Sequence, residues 1–462
     1  MTIDLSTKSI PAEQHGISQA RISPNALKVC HQLQKAGYDG YLVGGCVRDL
    51  ILGYEPKDFD VVTNATPEQV RALFSNCRLI GRRFRLAHVR FGREIIEVAT
   101  YRAGAADMAD DEPDDDSDDD FDDVDDDTGD DIRDDARVDI SHSETGRILR
   151  DNVYGTREQD AARRDFTINA LYYDPKTETV LDDVSGFCDL REGQIRIIGD
   201  ANQRYREDPV RMLRALRFAA KLGLRVNPST LDPIDELAEL LTDVPPARLF
   251  EEALKLFHGG CATQVFELIR QHGLYQAMFP GSNAVLDRDD GVAWRLIPAA
   301  LNNTDARINS GKHTNPAFLF GVVLWPVVRR NVYKYTDDGM AYNEALRLAA
   351  SDAIGQQIRF TSIPKRFSSI IREIWALQPR LERRNPRTIF KLLEAERFRA
   401  AYDFLCLRVQ AGELPEELCQ WWTQIQEESP DQQHVRVTQL PKPGGGRRRN
   451  KSRKRRGKKQ DG

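Results

Sequence analysis

Between residues 107 and 139 the chain carries 20 aspartates and glutamates against two arginines, Arg133 and Arg137, and few hydrophobic side chains. Such a stretch repels itself and has too little apolar surface to offset the entropy of ordering. It is expected to form a disordered acidic insertion, with bounds 107–145. Any core must therefore be assembled from the segments on either side of it. That window holds a net −18 in a chain whose total is −6, so the remainder is cationic. Residues 447–459, RRRNKSRKRRGKK, supply ten positive charges and no acid. With both extremes set aside, the folding part of the 462 residues is near neutral and long enough for two or three domains.

Ahead of the insertion the pattern alternates between short strands and helices. Residues 1–20 read as a disordered lead. SPNALKVCHQLQKAG (23–37) has helical spacing, with Ser23 as N-cap and Pro24 in the first turn. YLVGG (41–45) reads as a short buried strand stopped by glycines, VRDLILG as a helix ending at Gly53, and DFDVVT (58–63) as a second strand. TPEQVRALFS (66–75) reads as a helix capped by Thr66. The segment 85–101 is a hairpin broken at FGR. After the insertion, RRDFTINALYYD and IRIIG resume the same texture up to about residue 200. From 206 to about 428 amphipathic helices dominate. The fold class is α+β: a small mixed α/β head over 21–200, an all-helical neck (201–265) and body (266–428), and a disordered basic tail (429–462).

The densest chemistry lies in 41–63. Asp58 and Asp60 are spaced i, i+2, which on a strand puts both carboxylates on one face. Like charges so close repel unless a cation sits between them, and Mg²⁺ with a triphosphate suits that need. Alone, such a pair is more often an acidic strand edge. Gly44 and Gly45 shift the balance: they let backbone N–H groups approach phosphate, and the helix after them offers its N-terminus and Arg48. Glu97, on a neighbouring strand, is either a third metal-site carboxylate or an edge residue. Arg163, Arg164 and Asp165 open an apolar segment read as a helix and fit a phosphate or ribose clamp, with Thr167 and Asn169 as further donors. In EDPVRMLRALRFAAKLG (207–223), Asp208, Arg211, Arg214 and Arg217 share one half of a helix, and Met212, Leu213, Leu216, Ala219 and Ala220 the other.

Taken in order, LVGGCVRDLILG, DFDVVTNATPEQV, RRDFTINAL and REDPVRMLRALRFAAKLG resemble the class II nucleotidyltransferases, the family of bacterial poly(A) polymerases and CCA-adding enzymes. The resemblance covers about residues 35–260. It implies a nucleotidyltransferase head in which Asp58 and Asp60 bind Mg²⁺ and Asp165 is a further active-site acid. It also implies nucleotide binding by Gly44, Gly45, Arg48, Arg164, Asp208, Arg211, Arg214 and Arg217. Of the two branches, LIGRRFRLAHV (79–89), VPPARLFEEALKLF (244–257) and the Lys/Arg-rich tail are similar to the polymerases. The implied activity is template-independent addition of AMP from ATP to RNA 3′ ends, in mRNA processing and decay, with RNA held through its phosphates. A CCA-adding tRNA nucleotidyltransferase and an inactive RNA-binding scaffold are the alternatives.

Other classes find little support. The seven cysteines, at 30, 46, 77, 188, 261, 406 and 419, are scattered without a CxxC pair, so reduced thiols are expected, with neither a zinc site nor a disulfide framework. No signal pattern opens the chain, and the longest apolar run, PAFLFGVVLWPVV (316–328), is too short to span a bilayer. A buried helix and a cytoplasmic protein are the expectations.

Overall fold

The computed structural model describes residues 8–81, 85–103, 154–288 and 291–440. The acidic insertion, the middle of the LIGRRFR stretch, residues 1–7 and the basic tail from 441 lie outside the described residues. The chain divides into two compact units. One comprises Met1–Pro280, Thr304–Lys312 and Phe360–Ser362; the other comprises Gly281–Asn303, His313–Arg359 and Ile363–Gly462.

The first unit is built on one mixed sheet. Its elements in chain order begin β1 (Ser9–Ile10), α1 (Pro24–Lys35), β2 (Tyr41–Val43), α2 (Gly45–Leu52), β3 (Asp60–Thr63) and α3 (Pro67–Leu73). Then come β4 (Cys77–Ile80), β5 (Leu86–Phe91), β6 (Glu94–Thr100), α4 (Arg157–Arg163), β7 (Leu171–Asp174), β8 (Thr179–Asp182) and α5 (Gly186–Arg191). The strands lie in the order β1-β8-β7-β2-β3-β6-β5-β4. Among the described residues of this eight-stranded sheet only β3 and β6 run parallel, with Asp60 opposite Glu97; its other pairs are antiparallel. β2 is flanked by β3 and β7, so segments from either side of the acidic insertion close one core: Val43, Val62, Tyr101, Ala161, Ala170 and Tyr172 pack together.

Local signals account for these elements. Ser23 accepts from the Asn25 and Ala26 N–H groups at the head of α1, which buries Ala26, Val29, Cys30 and Leu33. Thr66 and Gln69 cap α3 reciprocally. Gly53 ends α2 at φ 82°, a conformation that costs glycine little. Gly92, at φ 66°, turns the β5–β6 hairpin.

The unit also includes helices α6 (Ala201–Glu207), α7 (Val210–Leu222) and α8 (Pro246–Phe257). The second unit is helical and includes α9 (Pro316–Asp337), α10 (Lys365–Arg383), α11 (Phe398–Gln410), α12 (Glu416–Glu427) and α13 (Pro430–Thr438). Trp325, Trp375 and Phe404 form its aromatic centre. There Arg408 is buried between Glu382 and Glu413. The run from Pro316 to Val328 lies in the buried part of α9, and no helix among the described residues is long and apolar enough to cross a membrane.

Four expectations need correction. Residues 8–20 are ordered: β1 pairs with β8, and His15 is buried, its Nε2 against the Glu178 carbonyl at 3.1 Å and its Nδ1 accepting from the Ile17 N–H. A two-residue edge strand has no periodicity to reveal it. RRDFTINAL does not feed a helix; after α4 the chain runs extended, makes a 3₁₀ turn at Thr167–Asn169 and enters β7. Its backbone is claimed from afar, by the bridge of Phe166 to Ile197. Order extends beyond 428, because Ser429 and Gln432 cap α13 and Val437 is buried. Cys406 and Cys419 are joined in a disulfide, since α11 and α12 pack side by side with their Cα atoms 5.1 Å apart.

At Gly186 a Cβ would stand 2.0 Å from the Thr167 carbonyl oxygen and 2.7 Å from its carbon. Backbone cannot rotate aside as a side chain can. Gly186→Ala is therefore expected to destabilise the protein by about 1–3 kcal/mol, seen as a lower urea midpoint at unchanged slope. An unchanged midpoint would mean the turn at Thr167 has room to shift.

Candidate active site

A cleft of about 310 Å³ opens in the first unit, and Gly44 with α2, the loop 54–58, β3, the Arg164–Asn169 segment and α7 supply its lining. One wall is the turn out of β2. Gly44 has φ 80° and ψ −134°, a backbone state reached without strain only by glycine, and α2 starts at Gly45. Both glycines and Arg48 line the cleft. Arg48 is buried; its Nε donates to Asp49 at 2.8 Å and its Nη1 to the Asn169 side-chain oxygen at 2.7 Å.

Asp58 and Asp60 line the same cleft. β3 begins at Asp60, so Asp58 stands just ahead of the strand, exposed, with Asp60 partly covered. The two-residue spacing keeps both carboxylates in one cavity.

Helix α7 adds Arg214, Arg217, Phe218 and Lys221 to the lining. Arg214 holds Oδ2 of Asp165 through Nε and Nη2 at 2.9 and 2.8 Å. Oδ1 of Asp165 accepts from the Phe166 N–H at 2.6 Å and from Asn169 at 3.3 Å. A chain of contacts thus runs from Arg48 through Asn169 and Asp165 to Arg214. The guanidiniums of Arg48, Arg214 and Arg217 lie 5.0–5.6 Å from the centre of the Phe218 ring, whose face attracts cations.

Asp160 is fully buried on α4. It accepts from Arg163 at 2.7 Å, Arg164 at 3.2 Å and the Tyr172 hydroxyl at 2.9 Å. Burial pushes its carboxyl up, but the Arg164 and Arg163 guanidiniums outweigh burial and hold it at about 2. Arg204 of α6 reaches the carbonyls of Arg163 and Arg164 at 2.6 and 2.7 Å, which pins the two arginines' backbone.

Of the eleven residues that the resemblance assigns to the site, nine line the cleft: Gly44, Gly45, Arg48, Asp58, Asp60, Arg164, Asp165, Arg214 and Arg217; of the further candidates Asn169 lines it, and Glu97, Arg163 and Thr167 do not. Asp208 and Arg211 lie outside its lining. Asp208 pairs with Arg248 at 2.9 Å; Arg211 is buried, donating to the Arg204 carbonyl at 2.8 Å and reaching Glu207 at 3.3 Å.

Three family models match successive segments: the poly A polymerase head domain over 40–196, the probable RNA and SrmB-binding site of polymerase A over 223–286, and the polymerase A arginine-rich C-terminus over 338–458. The chain is 47% identical to poly(A) polymerase I of Salmonella typhi, over 96% of this chain and 92% of that protein. It is 44% identical to the Haemophilus influenzae poly(A) polymerase I, over 90% and 87%. The chain belongs to the poly(A) polymerase I family. Similarity to the CCA-adding enzyme of Geobacillus stearothermophilus is weaker, 33% over 55% of this chain and 54% of that one. Among solved structures, the Thermotoga maritima CCA-adding enzyme complexed with tRNA_CCA shares the fold, with a TM-score of 0.53, 17% identity and coverage of 95% and 92%.

Poly(A) polymerase membership makes the donor set at the acid pair a test of metal binding. No group of three or more His, Cys, Asp or Glu suited to a metal is present among the described residues. Glu97, opposite Asp60 in the sheet, is engaged by His88 at 3.0 Å and does not extend the pair into such a group. Two carboxylate side chains alone are a poor cage for Ca²⁺ or Zn²⁺. They fit a hard cation that keeps several waters and takes its remaining ligands from phosphate.

Sequence reasoning passed over several residues that line the cleft or hold its arginines in place. Lys57 adjoins Asp58 in PKDFD, and Lys221 lies one helical turn beyond Arg217, continuing a visible row. Asp160 precedes Arg163 and Arg164 by three and four residues, the helical contact spacing. Arg204 carried no local signal, because its partners are carbonyls some forty residues away.

Proposed function

We propose that this chain is a template-independent poly(A) polymerase: a polynucleotide adenylyltransferase that transfers AMP from ATP to RNA 3′ ends and releases diphosphate. The observation that carries the reading is one cleft lined both by a carboxylate pair and by an arginine row. It occurs in a chain that matches poly(A) polymerases I along nearly its whole length. The CCA-adding alternative rests on about half the chain at 30–33% identity.

Asp58 and Asp60 are assigned to Mg²⁺, which when bound would neutralise phosphate charge and lower the barrier to attack by the RNA 3′-OH. Arg48, Arg164, Arg214, Arg217 and the Gly44–Gly45 backbone hold the triphosphate, and Asp165 fixes Arg214 toward it. The neck (201–265), the body (266–428) and the tail (429–462) are assigned to RNA, through phosphate contacts whose affinity falls steeply with salt.

For Asp208 and Arg211 the motif is the support, and base reading by them requires their present ion pairs to exchange for the nucleotide. If they read the base, Arg211→Ala weakens discrimination for ATP over the other nucleotides by about 1.5–3 kcal/mol, more than tenfold. Competition assays with four nucleotides check this. Equal losses for all four would make Arg211 a scaffold residue.

Incubation of the protein with unstructured RNA and each nucleotide in turn tests the activity itself. Long A tracts from ATP are the expected result. Addition of CCA to tRNA, with dependence on CTP, would replace the reading.

A further inference from the structure

Tyr54 is the half-exposed aromatic residue of the cleft. Its relative exposure is 51%, while Phe218, the other aromatic residue in the lining, has 5%. Its backbone is fixed on both sides: the Tyr54 N–H donates to the Asp49 carbonyl at 2.8 Å, and its carbonyl accepts from Arg21 at 2.6 Å. Its hydroxyl makes no hydrogen bond, and its ring no aromatic contact, to another described residue. A ring on an anchored backbone, left in water at a nucleotide cleft, has its π-face available for a base.

We infer that Tyr54 is a stacking platform for the 3′-terminal base of the RNA acceptor, an inference that rests on the polymerase reading. The charges of the cleft select the acceptor base over that of ATP. Five cations, Arg48, Arg164, Arg214, Arg217 and Lys221, come from α2, the Arg164–Asn169 segment and α7, where a triphosphate is attracted. The loop that bears Tyr54 carries Glu55 and Asp58 against the single Lys57 and leads into Asp60. The acceptor hydroxyl must come to the carboxylate pair that this loop leads into, where it meets the α-phosphate, while the rest of the triphosphate is drawn toward the five cations. The base attached to that hydroxyl's sugar then falls beside the residue four positions before Asp58.

The test is a cycle between Tyr54 and the terminal base. Binding of an unstructured oligo(A) and of the same oligonucleotide ending in an abasic nucleotide is measured by fluorescence anisotropy without ATP. The wild-type protein is expected to prefer the intact primer about tenfold, equal to about 1.4 kcal/mol and inside the range for a base on an aromatic ring. Tyr54→Phe keeps that preference and Tyr54→Ala abolishes it. The KM for ATP stays within about twofold of wild type. The slope of affinity against salt is also unchanged, since no phosphate contact is lost. Because the side chain is exposed, both variants are expected to melt at the wild-type temperature. A Tyr54→Ala protein that still prefers the intact primer tenfold overturns the inference. So does a raised KM for ATP with primer binding intact, which would put the ring under the nucleotide. Failure of the wild-type protein to extend either primer would overturn the polymerase reading itself, while the binding cycle still reports on Tyr54 alone.

Discussion

Asp58→Asn and Asp60→Asn, purified separately, are each expected to lose nucleotidyl transfer by about 10³-fold or more while unfolding at the wild-type midpoint. The reason lies in the small donor set. Among the described residues no third carboxylate joins the pair to make a metal cluster, and Glu97 is engaged by His88. Removing one charge from a two-carboxylate site removes half of what attracts the cation, and asparagine retains only a neutral oxygen. Stability is expected to hold because Asp58 is exposed and precedes β3, while Asp60 opens the strand with its backbone paired to Val43. Primer extension with RNA, ATP and Mg²⁺, alongside urea denaturation, checks both halves. Turnover near the wild-type rate in either folded variant would remove the metal assignment.

Asp160→Asn is expected to act the other way, on stability first. Its carboxylate is the buried counter-charge for Arg163 and Arg164 and also accepts from Tyr172. Removing one member of such a cluster takes the buried counter-charge from beside both guanidiniums, at a cost of about 3–5 kcal/mol. The pH dependence has a definite sign. The folded carboxyl sits at about 2, below the ordinary value near 3.9. A depressed carboxyl contributes its stability in full above the unfolded value and loses it as pH falls through the folded one. The proton-linked share, about 2–3 kcal/mol, should therefore separate wild type from Asp160→Asn at neutral pH and shrink between about pH 4 and pH 2. The rest reflects hydrogen bonds that asparagine meets only in part. Denaturation midpoints that coincide at pH 7 would show that the two arginines find other partners without cost.

Much of the candidate site was legible because its residues come in short motifs with local physical signatures. Gly44–Gly45 followed by Arg48, the pair Asp58 and Asp60, and the row Arg214, Arg217 each declare a turn, an extended step or a helix face within a few residues. Nine of eleven positions line one cleft for that reason. The two that do not, Asp208 and Arg211, were placed by helical arithmetic that assumed one uninterrupted helix. In the structure Asp208 is the residue that ends α6, Pro209 precedes α7, and Arg211 turns back toward Glu207. A projection onto a single helix cannot register that break.

By itself, then, the sequence determined most of the elements, their caps and the chemical character of the cleft, since these depend on neighbours within one or two turns of chain. The tertiary structure decided what pairs across long separations. It set β7 beside β2, made an edge strand of residues 9–10, recruited Asp160 and Arg204 to hold the arginine pair, and joined Cys406 to Cys419. The physical reason is the same in each case. A backbone carbonyl, a buried counter-charge or a sulfur facing another sulfur leaves no periodic trace in the chain, and its partner is fixed only when the sheet and helices close around it.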